Sequence, residues 1–185
     1  MNVLLHACCG PCASACVPRL KEADRAVAMY FANSNIDTPE EFEKRRGEAE
    51  KLARAEGVEL FVEPYDHAEW LREVAAGYES EPEKGARCAR CFRYNLAKAA
   101  RFAAAHGYDG FTTSLTVSPH KVSEVVFAAG DQAASDVGGV PFLRENFKKR
   151  EGFKLSLSRS AALGLYRQTY CGCEFSRLLR FSVKL

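Results

Sequence analysis

Short, nearly continuous apolar runs alternating with helical periodicity are what most constrain this chain. Residues 2–6 (NVLLH) and 26–32 (AVAMYFA) show no polar alternation, as expected of strands buried on both faces of a parallel sheet. Between them, Ala13 to Ala23 reads as a helix. TPEEFEKRRGEAEKLARAE (38–56) opens on Thr38 with Glu41 three residues later, then alternates acidic and basic residues. That pattern predicts a long, largely solvent-facing helix with a capping box. VELFVEP (58–64) reads as a strand, DHAEWLREVAAGY (66–78) as a helix and SEPEKG (80–85) as a polar connection. Residues 86–106 form a helical pattern ending at Gly107, and GFTTSLTV (110–117) follows as a fourth strand. Beyond it the pattern predicts a helix near 121–135, a break at 138–141, a short strand at 141–144 and a helical stretch around 156–163.

This rhythm predicts an α/β fold: a mostly parallel sheet with helices on both faces, Rossmann-like in the manner of HUP and PP-loop domains. Ligand sites in such folds lie at the carboxyl ends of the strands. With 185 residues the chain suits one core, so a single domain over 1–185 is expected. The start MNVLLHACCG lacks a basic region, and no run reaches the ~18 apolar residues that span a bilayer. The expected location is cytoplasmic, without a membrane partner. The formal net charge is only +2, so the whole-molecule field would not by itself attract nucleic acid, although the local cluster Lys148, Lys149 and Arg150 could.

In a reducing compartment, eight cysteines point to metal or redox chemistry rather than disulfides. They fall into three tight groups: Cys8, Cys9 and Cys12 in HACCGPC, with Cys16 one turn on; Cys88 and Cys91 in GARCARCF; Cys171 and Cys173 in YCGC. A C-x2-C pair converges two thiolates on one ion or on neighbouring irons, and glycine permits the sharp bend in C-G-C. Gly10, Pro11 and Gly172 fit the shaping of such loops. Cys88 and Cys91 alone suit a structural zinc half-site equally well, and a thioredoxin-like pair less well, because a polar loop rather than a strand precedes them. Cys16 reads as a small buried residue. The remaining seven are too many for one tetrahedral zinc and awkward for two, whereas a four-iron cluster beside a second metal uses them better. Cys8 and Cys9 are adjacent, and neighbouring side chains in an extended segment diverge, so they are expected to serve two neighbouring metals.

Other residues carry two readings each. His120 and Lys121 follow strand four, where ligand contact is favoured, but a helix start with a solvated lysine fits as well. Arg167, Gln168 and Tyr170 precede C-G-C and could donate to sulfur or substrate, or simply pack the loop. Asn33 and Asn35 could read a base or hold a loop. His6 could tune a metal or be a satisfied strand residue, and Trp70 reads as core rather than a stacking platform.

HACCGPC, N-S-N-I with EFEKR shortly after, YD with Trp70, EPEKGARCARCF, TSLTVSPHK and YRQTYCGCEFS occur in this order. Together they resemble the QueH family of epoxyqueuosine reductases from Leu4 to Ser176. Ser34 stands where the family motif has proline, Pro39 falls one position late, and Cys12 occupies a position where the family admits cysteine or aspartate. An oxygen ligand there would make a harder metal site than sulfur does. The resemblance implies reductive removal of the epoxide oxygen of epoxyqueuosine at the wobble position of a tRNA anticodon, the final step of queuosine biosynthesis. It implies a 4Fe-4S cluster and an adjacent mononuclear metal, iron, on Cys8, Cys9, Cys12, Cys88, Cys91, Cys171 and Cys173, without cobalamin and with an unidentified electron donor. His120 and Lys121 are the further candidate catalytic residues, and Asn33, Asn35, Arg167, Gln168 and Tyr170 the candidate substrate contacts. Two other readings stay open: an iron-sulfur tRNA thiolation enzyme, although no S-G-G-x-D phosphate loop follows strand one, and a zinc-stabilised RNA-binding module.

Overall fold

Strands β1 (Asn2–His6), β2 (Ala26–Phe31), β3 (Leu60–Val62) and β4 (Gly110–Thr113) form one all-parallel sheet in the order β3-β2-β1-β4. The computed structural model describes residues 1–177, so the expected domain end at 185 lies outside the described residues. Consecutive side chains of each strand point to opposite faces, and both faces are covered, which explains the apolar runs. Leu5, Met29 and Phe31 pack on one side with α1 (Gly10–Glu22) and α2 (Pro39–Glu56). Leu4, Ala28, Tyr30 and Phe111 pack on the other with α4 (Ala86–Ala105) and α5 (Ser123–Val137). The short α3 (His67–Trp70) runs into a π-helical turn (Leu71–Ala75), and α6 (Gly152–Ala162) packs beside α1. No helix among the described residues is long and apolar enough to cross a membrane.

The chain adds strands leftward from β1 through β2 to β3, then returns to the other side of β1 with β4. That reversal opens a crevice above the carboxyl ends of β1 and β4, the place where open α/β sheets bind ligands. The segments leaving both strands converge there, with Cys8 N donating to Ser114 Oγ at 3.0 Å.

Several boundaries differ from the sequence reading for local reasons. The first helix starts at Gly10, not Ala13, because Cys9 is its N-cap and Pro11 sits in its first turn. Strand four stops at Thr113, whose side chain accepts from Leu115 N at 3.2 Å and starts a 3-10 turn over Ser114–Val117. The expected strand at 141–144 is a single bridge, Phe111 to Phe142, since Pro141 has no N–H to extend the ladder. The stretch expected around 156–163 starts four residues earlier, at Gly152. The helix over 38–56 is not largely solvent-facing: Phe42, Arg45, Ala49 and Leu52 form a buried stripe.

Thr38 does cap that helix, accepting from Glu41 N at 3.2 Å. Thr38→Ala should therefore lower stability by about 1 kcal/mol, read as a lower urea midpoint at unchanged slope.

Candidate active site

Two separate groups of thiols face each other across the crevice. The first is built where β1 becomes α1. Cys9 caps the helix, accepting from Cys12 N at 3.4 Å, and this bend keeps its side chain from diverging from that of Cys8. The sulfurs of Cys8 and Cys9 lie 4.0 Å apart, and those of Cys8, Cys9 and Cys12 all lie within 4.8 Å of one another. The divergence expected of these two neighbouring side chains is thus corrected, because the extended geometry assumed for them ends at Cys9. A tetrahedral thiolate site spaces its sulfurs by roughly 3.8 Å, so this trio is within about an ångström of binding geometry.

The second group joins α4 to the C-G-C loop. Cys88 and Cys91 occupy the first turns of α4, and Cys88 Sγ accepts from Lys84 N at 3.2 Å. Cys88, Cys91, Cys171 and Cys173 line one small cavity together with Trp70. Gly172 lets the loop turn between its two cysteines: its φ is 144°, and a Cβ would sit 2.9 Å from Asn35 Nδ2. Seven cysteines therefore divide into four and three, a partition that spacing alone did not provide.

Electrostatics fit both groups to cations. Hydrogen bonds from Cys12, Cys8 and Gln168 hold the Cys9 thiol well below its ordinary value. Cys8 is pushed up to about 12: its hydrogen bond with Cys12 favours the thiolate, but the bond to Cys9, burial and the neighbouring charge outweigh it. Cys12 is raised well above its ordinary value by its bonds to Cys8 and Cys9 and by burial. A cation bound among the three would stabilise all three thiolates. In the four-thiol group, burial and the fields of Cys171, Cys173 and Cys88 push Cys91 up. Trp70 is 1% exposed, and its Nε1–H beside Cys91 favours the thiolate there without offsetting the burial.

A cavity of about 280 Å³ separates the groups. Cys8 and Cys12 of the first group and Cys91 and Cys171 of the second line it, whereas Cys9, Cys88 and Cys173 do not. The sequence candidates Asn33, Asn35, His120, Lys121, Arg167, Gln168 and Tyr170 all reach it. Burial opposes the charge of Lys121, but the fields of Cys171, Cys8, Cys12 and Cys9 more than offset it and hold the ammonium protonated. Lys121 thus lies within the field of both groups. His120 is exposed at the rim.

A family model described as epoxyqueuosine reductase QueH matches residues 3–178. Three relatives carry the same description. One from Streptococcus pyogenes is 36% identical over 182 residues, covering 95% of this chain and 70% of the relative. One from Dehalococcoides mccartyi is 34% identical over 181 residues, covering 97% and 94%. One from Thermotoga maritima is 33% identical over 182 residues, covering 97% and 92%. The chain belongs to the QueH epoxyqueuosine reductases. It is an oxidoreductase of queuosine biosynthesis and tRNA modification.

Within that family assignment the polar residues of this site hold one another. Asn33 Nδ2 donates to Ala7 O at 2.9 Å, and Asn35 Oδ1 accepts from Asn95 Nδ2 at 2.9 Å. Gln168 Nε2 donates to Cys9 Sγ at 3.0 Å. Arg167 Nη2 donates to Ser156 Oγ at 2.7 Å, and the Tyr170 hydroxyl donates to Asp37 at 2.8 Å. Ser34, the departure from the family motif, accepts from Asp66 N at 3.2 Å through its hydroxyl, a bond proline could not make. His6 is a satisfied strand residue. Burial lowers it to about 4, so it is neutral; Nε2 donates to Ala32 O at 3.1 Å and Nδ1 accepts from Thr113 Oγ1 at 2.9 Å.

Sequence reading missed four residues: Arg45, Glu48, Asn95 and Ser114. Arg45 is 2% exposed; Nη1 donates to Cys171 O at 2.9 Å and Nη2 to Tyr170 O at 3.4 Å, while Nε pairs with Glu41 at 2.7 Å. Glu48 accepts from Tyr166 N at 2.9 Å. Ser114 Oγ lies 3.2 Å from Cys8 Sγ, and Asn95 Nδ2 lies 3.7 Å from Cys91 Sγ. The signal for Arg45 was its place between Phe42 and Ala49 on one helical stripe, where a cation must have an internal partner.

Arg45→Met leaves Glu41 and two loop carbonyls without their donor, and should cost about 3 kcal/mol in urea unfolding. Arg45→Lys, which keeps the charge but not the fork, should fall between. A wild-type midpoint for Arg45→Met would sink this account of the C-G-C loop.

Proposed function

We propose that this chain removes the epoxide oxygen of epoxyqueuosine at the wobble position of a tRNA anticodon, giving queuosine. In this reading Cys88, Cys91, Cys171 and Cys173 hold a 4Fe-4S cluster, and Cys8, Cys9 and Cys12 hold a single metal, iron. The observation that carries it is one cavity lined by Cys8 and Cys12 from the group of three, by Cys91 and Cys171 from the group of four, and by Lys121, whose ammonium lies in the field of both. The reaction consumes two electrons and two protons, converts the epoxide carbons to an alkene and releases the oxygen as water. When bound, the cluster would supply electrons singly and the metal a Lewis acid for the oxygen.

The remaining work falls to the chain's own residues. Lys121 is positioned to donate a hydrogen bond and then a proton to the oxygen as its carbon bond breaks. Phe92, Leu115 and Phe153 line the same cavity and keep water from competing for those bonds. Gln168, fixed through its bond to Cys9, has an Oε1 with no donor among the described residues, an acceptor for a substrate hydroxyl. The electrons come from a separate donor, and the reaction belongs in the cytoplasm, where its tRNA substrate resides.

The decisive experiment is an anaerobic assay of the iron-reconstituted protein with reductant and an anticodon stem-loop containing epoxyqueuosine, followed by nucleoside analysis. Queuosine should form; its absence, with folding and iron content verified, would overturn the activity. Alanine at Cys88, Cys91, Cys171 or Cys173 should remove the visible iron-sulfur absorption. Alanine at Cys8, Cys9 or Cys12 should keep that absorption and lose one metal per chain by elemental analysis. A colourless wild-type protein containing only zinc would favour the RNA-binding module instead. Trp70→Phe, which removes the N–H donor beside Cys91, should lower the midpoint potential of the cluster in a spectroelectrochemical titration while leaving its iron content unchanged.

A further inference from the structure

The segment from Asn146 to Glu151, between the bridge at Phe142 and α6, contributes no thiol to the site, yet it is among the most firmly tied pieces of irregular backbone. Arg19 on α1 donates Nη1 to Phe147 O at 2.8 Å and Lys149 O at 2.9 Å, and Nη2 to Arg150 O at 2.6 Å. Phe147 is buried, and its N–H donates to Thr116 Oγ1 at 3.2 Å. Arg150 and Glu151 are left-handed, with φ of 51° and 56°, a conformation such residues adopt only when the surroundings impose it. Gly152 closes the turn so tightly that a Cβ there would fall 1.6 Å from Phe147 O.

This rigid turn presents cations. Lys149 and Arg150 are exposed and have no acidic partner among the described residues. Lys154 follows on α6, paired only with the equally exposed Glu151. Lys148 points inward instead, its Nζ donating to Lys121 O at 2.7 Å, and Phe153 lines the same cavity as Lys121. The turn therefore adjoins the cavity, joined to its lining through Lys148 on Lys121 and through Phe153 at the start of α6. Solvated lysines kept for solubility need no such framework, since exposed cations function equally well on mobile backbone. A cavity of about 280 Å³ is small by the standards of ligand sites: it admits one nucleoside and leaves its neighbours in the strand outside.

We propose that Lys149, Arg150 and Lys154 form a preorganised clamp for the RNA phosphates flanking the nucleotide that enters the cavity, with Arg19 as the positioning residue that holds the clamp in shape. This rests on the reading that the substrate nucleotide is part of an RNA. Phosphate contacts fix register without reading sequence, which suits a protein that must bring one nucleotide of a loop to a fixed point.

The test is fluorescence-anisotropy binding of a labelled, unmodified anticodon stem-loop to the anaerobically reconstituted protein over a salt series. Lys149→Ala with Arg150→Ala should weaken binding about tenfold and reduce the slope of log K against log salt by about 1.5. Arg19→Lys keeps the charge but not the three carbonyl bonds, and should weaken binding with a smaller slope as well. Arg54→Ala with Arg72→Ala removes two exposed cations on other elements, α2 and the π-helical turn, and should leave affinity and slope unchanged. Loss of the wild-type visible spectrum would identify a misfolded variant, and the surface double variant is the one on which the proposal stands. Unchanged affinity and slope in that variant would overturn the clamp even if queuosine forms, as would an equal effect of the Arg54 and Arg72 pair or a wild type that binds no RNA. Salt-dependent binding lost in the variant, with no queuosine formed by wild type, would uphold the clamp and overturn the activity.

Discussion

Three arginines hold the irregular backbone on which this site is built. Arg45 donates to the carbonyls of Cys171 and Tyr170, Arg87 to those of Tyr78, Glu79 and Glu81, and Arg19 to those of Phe147, Lys149 and Arg150. Loop carbonyls without helix or sheet partners need donors if they are to be partly buried, and a guanidinium offers several in a fixed fork. Each arginine sits on a helix, so each loop inherits the rigidity of an element packed on the sheet. Without them the carbonyls of the C-G-C loop, of the segment before Cys88 and of the basic turn would lose these donors.

The sheet supplies the other half of the constraint. Because β2 and β4 flank β1, the segments leaving β1 and β4 meet above one crevice, and Ser114 and Cys8 contact each other there. The cysteine trio is thus fixed by parallel pairing and helix capping, while the four-thiol group is carried by α4 and the arginine-held loop. The two groups come from different parts of the fold and share one cavity.

How much of this was legible in residues depended on range. The apolar runs predicted β1 and β2 almost to the residue, and Thr38 with Glu41 marked the start of α2, because burial on two faces and N-capping leave local signatures. The end of β4 was misplaced because Thr113 and Ser114 suit a strand as well as the 3-10 turn that actually forms. Alternating charges hid the buried stripe of α2, since Arg45 and Glu48 look like solvated residues until their partners at 166–171 are known.

The sequence by itself determined the α/β class, the number of thiols available and the family, since apolar period, residue chemistry and motif order are all written locally. Only the tertiary structure decided that the sulfurs of Cys8, Cys9 and Cys12 converge, that the other four thiols line one small cavity, and that Arg19, Arg45 and Arg87 hold the loops. Apart from Arg87, whose partners Tyr78, Glu79 and Glu81 are near in sequence, those outcomes depend on groups distant along the chain, or on where a helix begins to the residue. Such contacts are set by the packing of the sheet and helices, which no local stretch of sequence encodes.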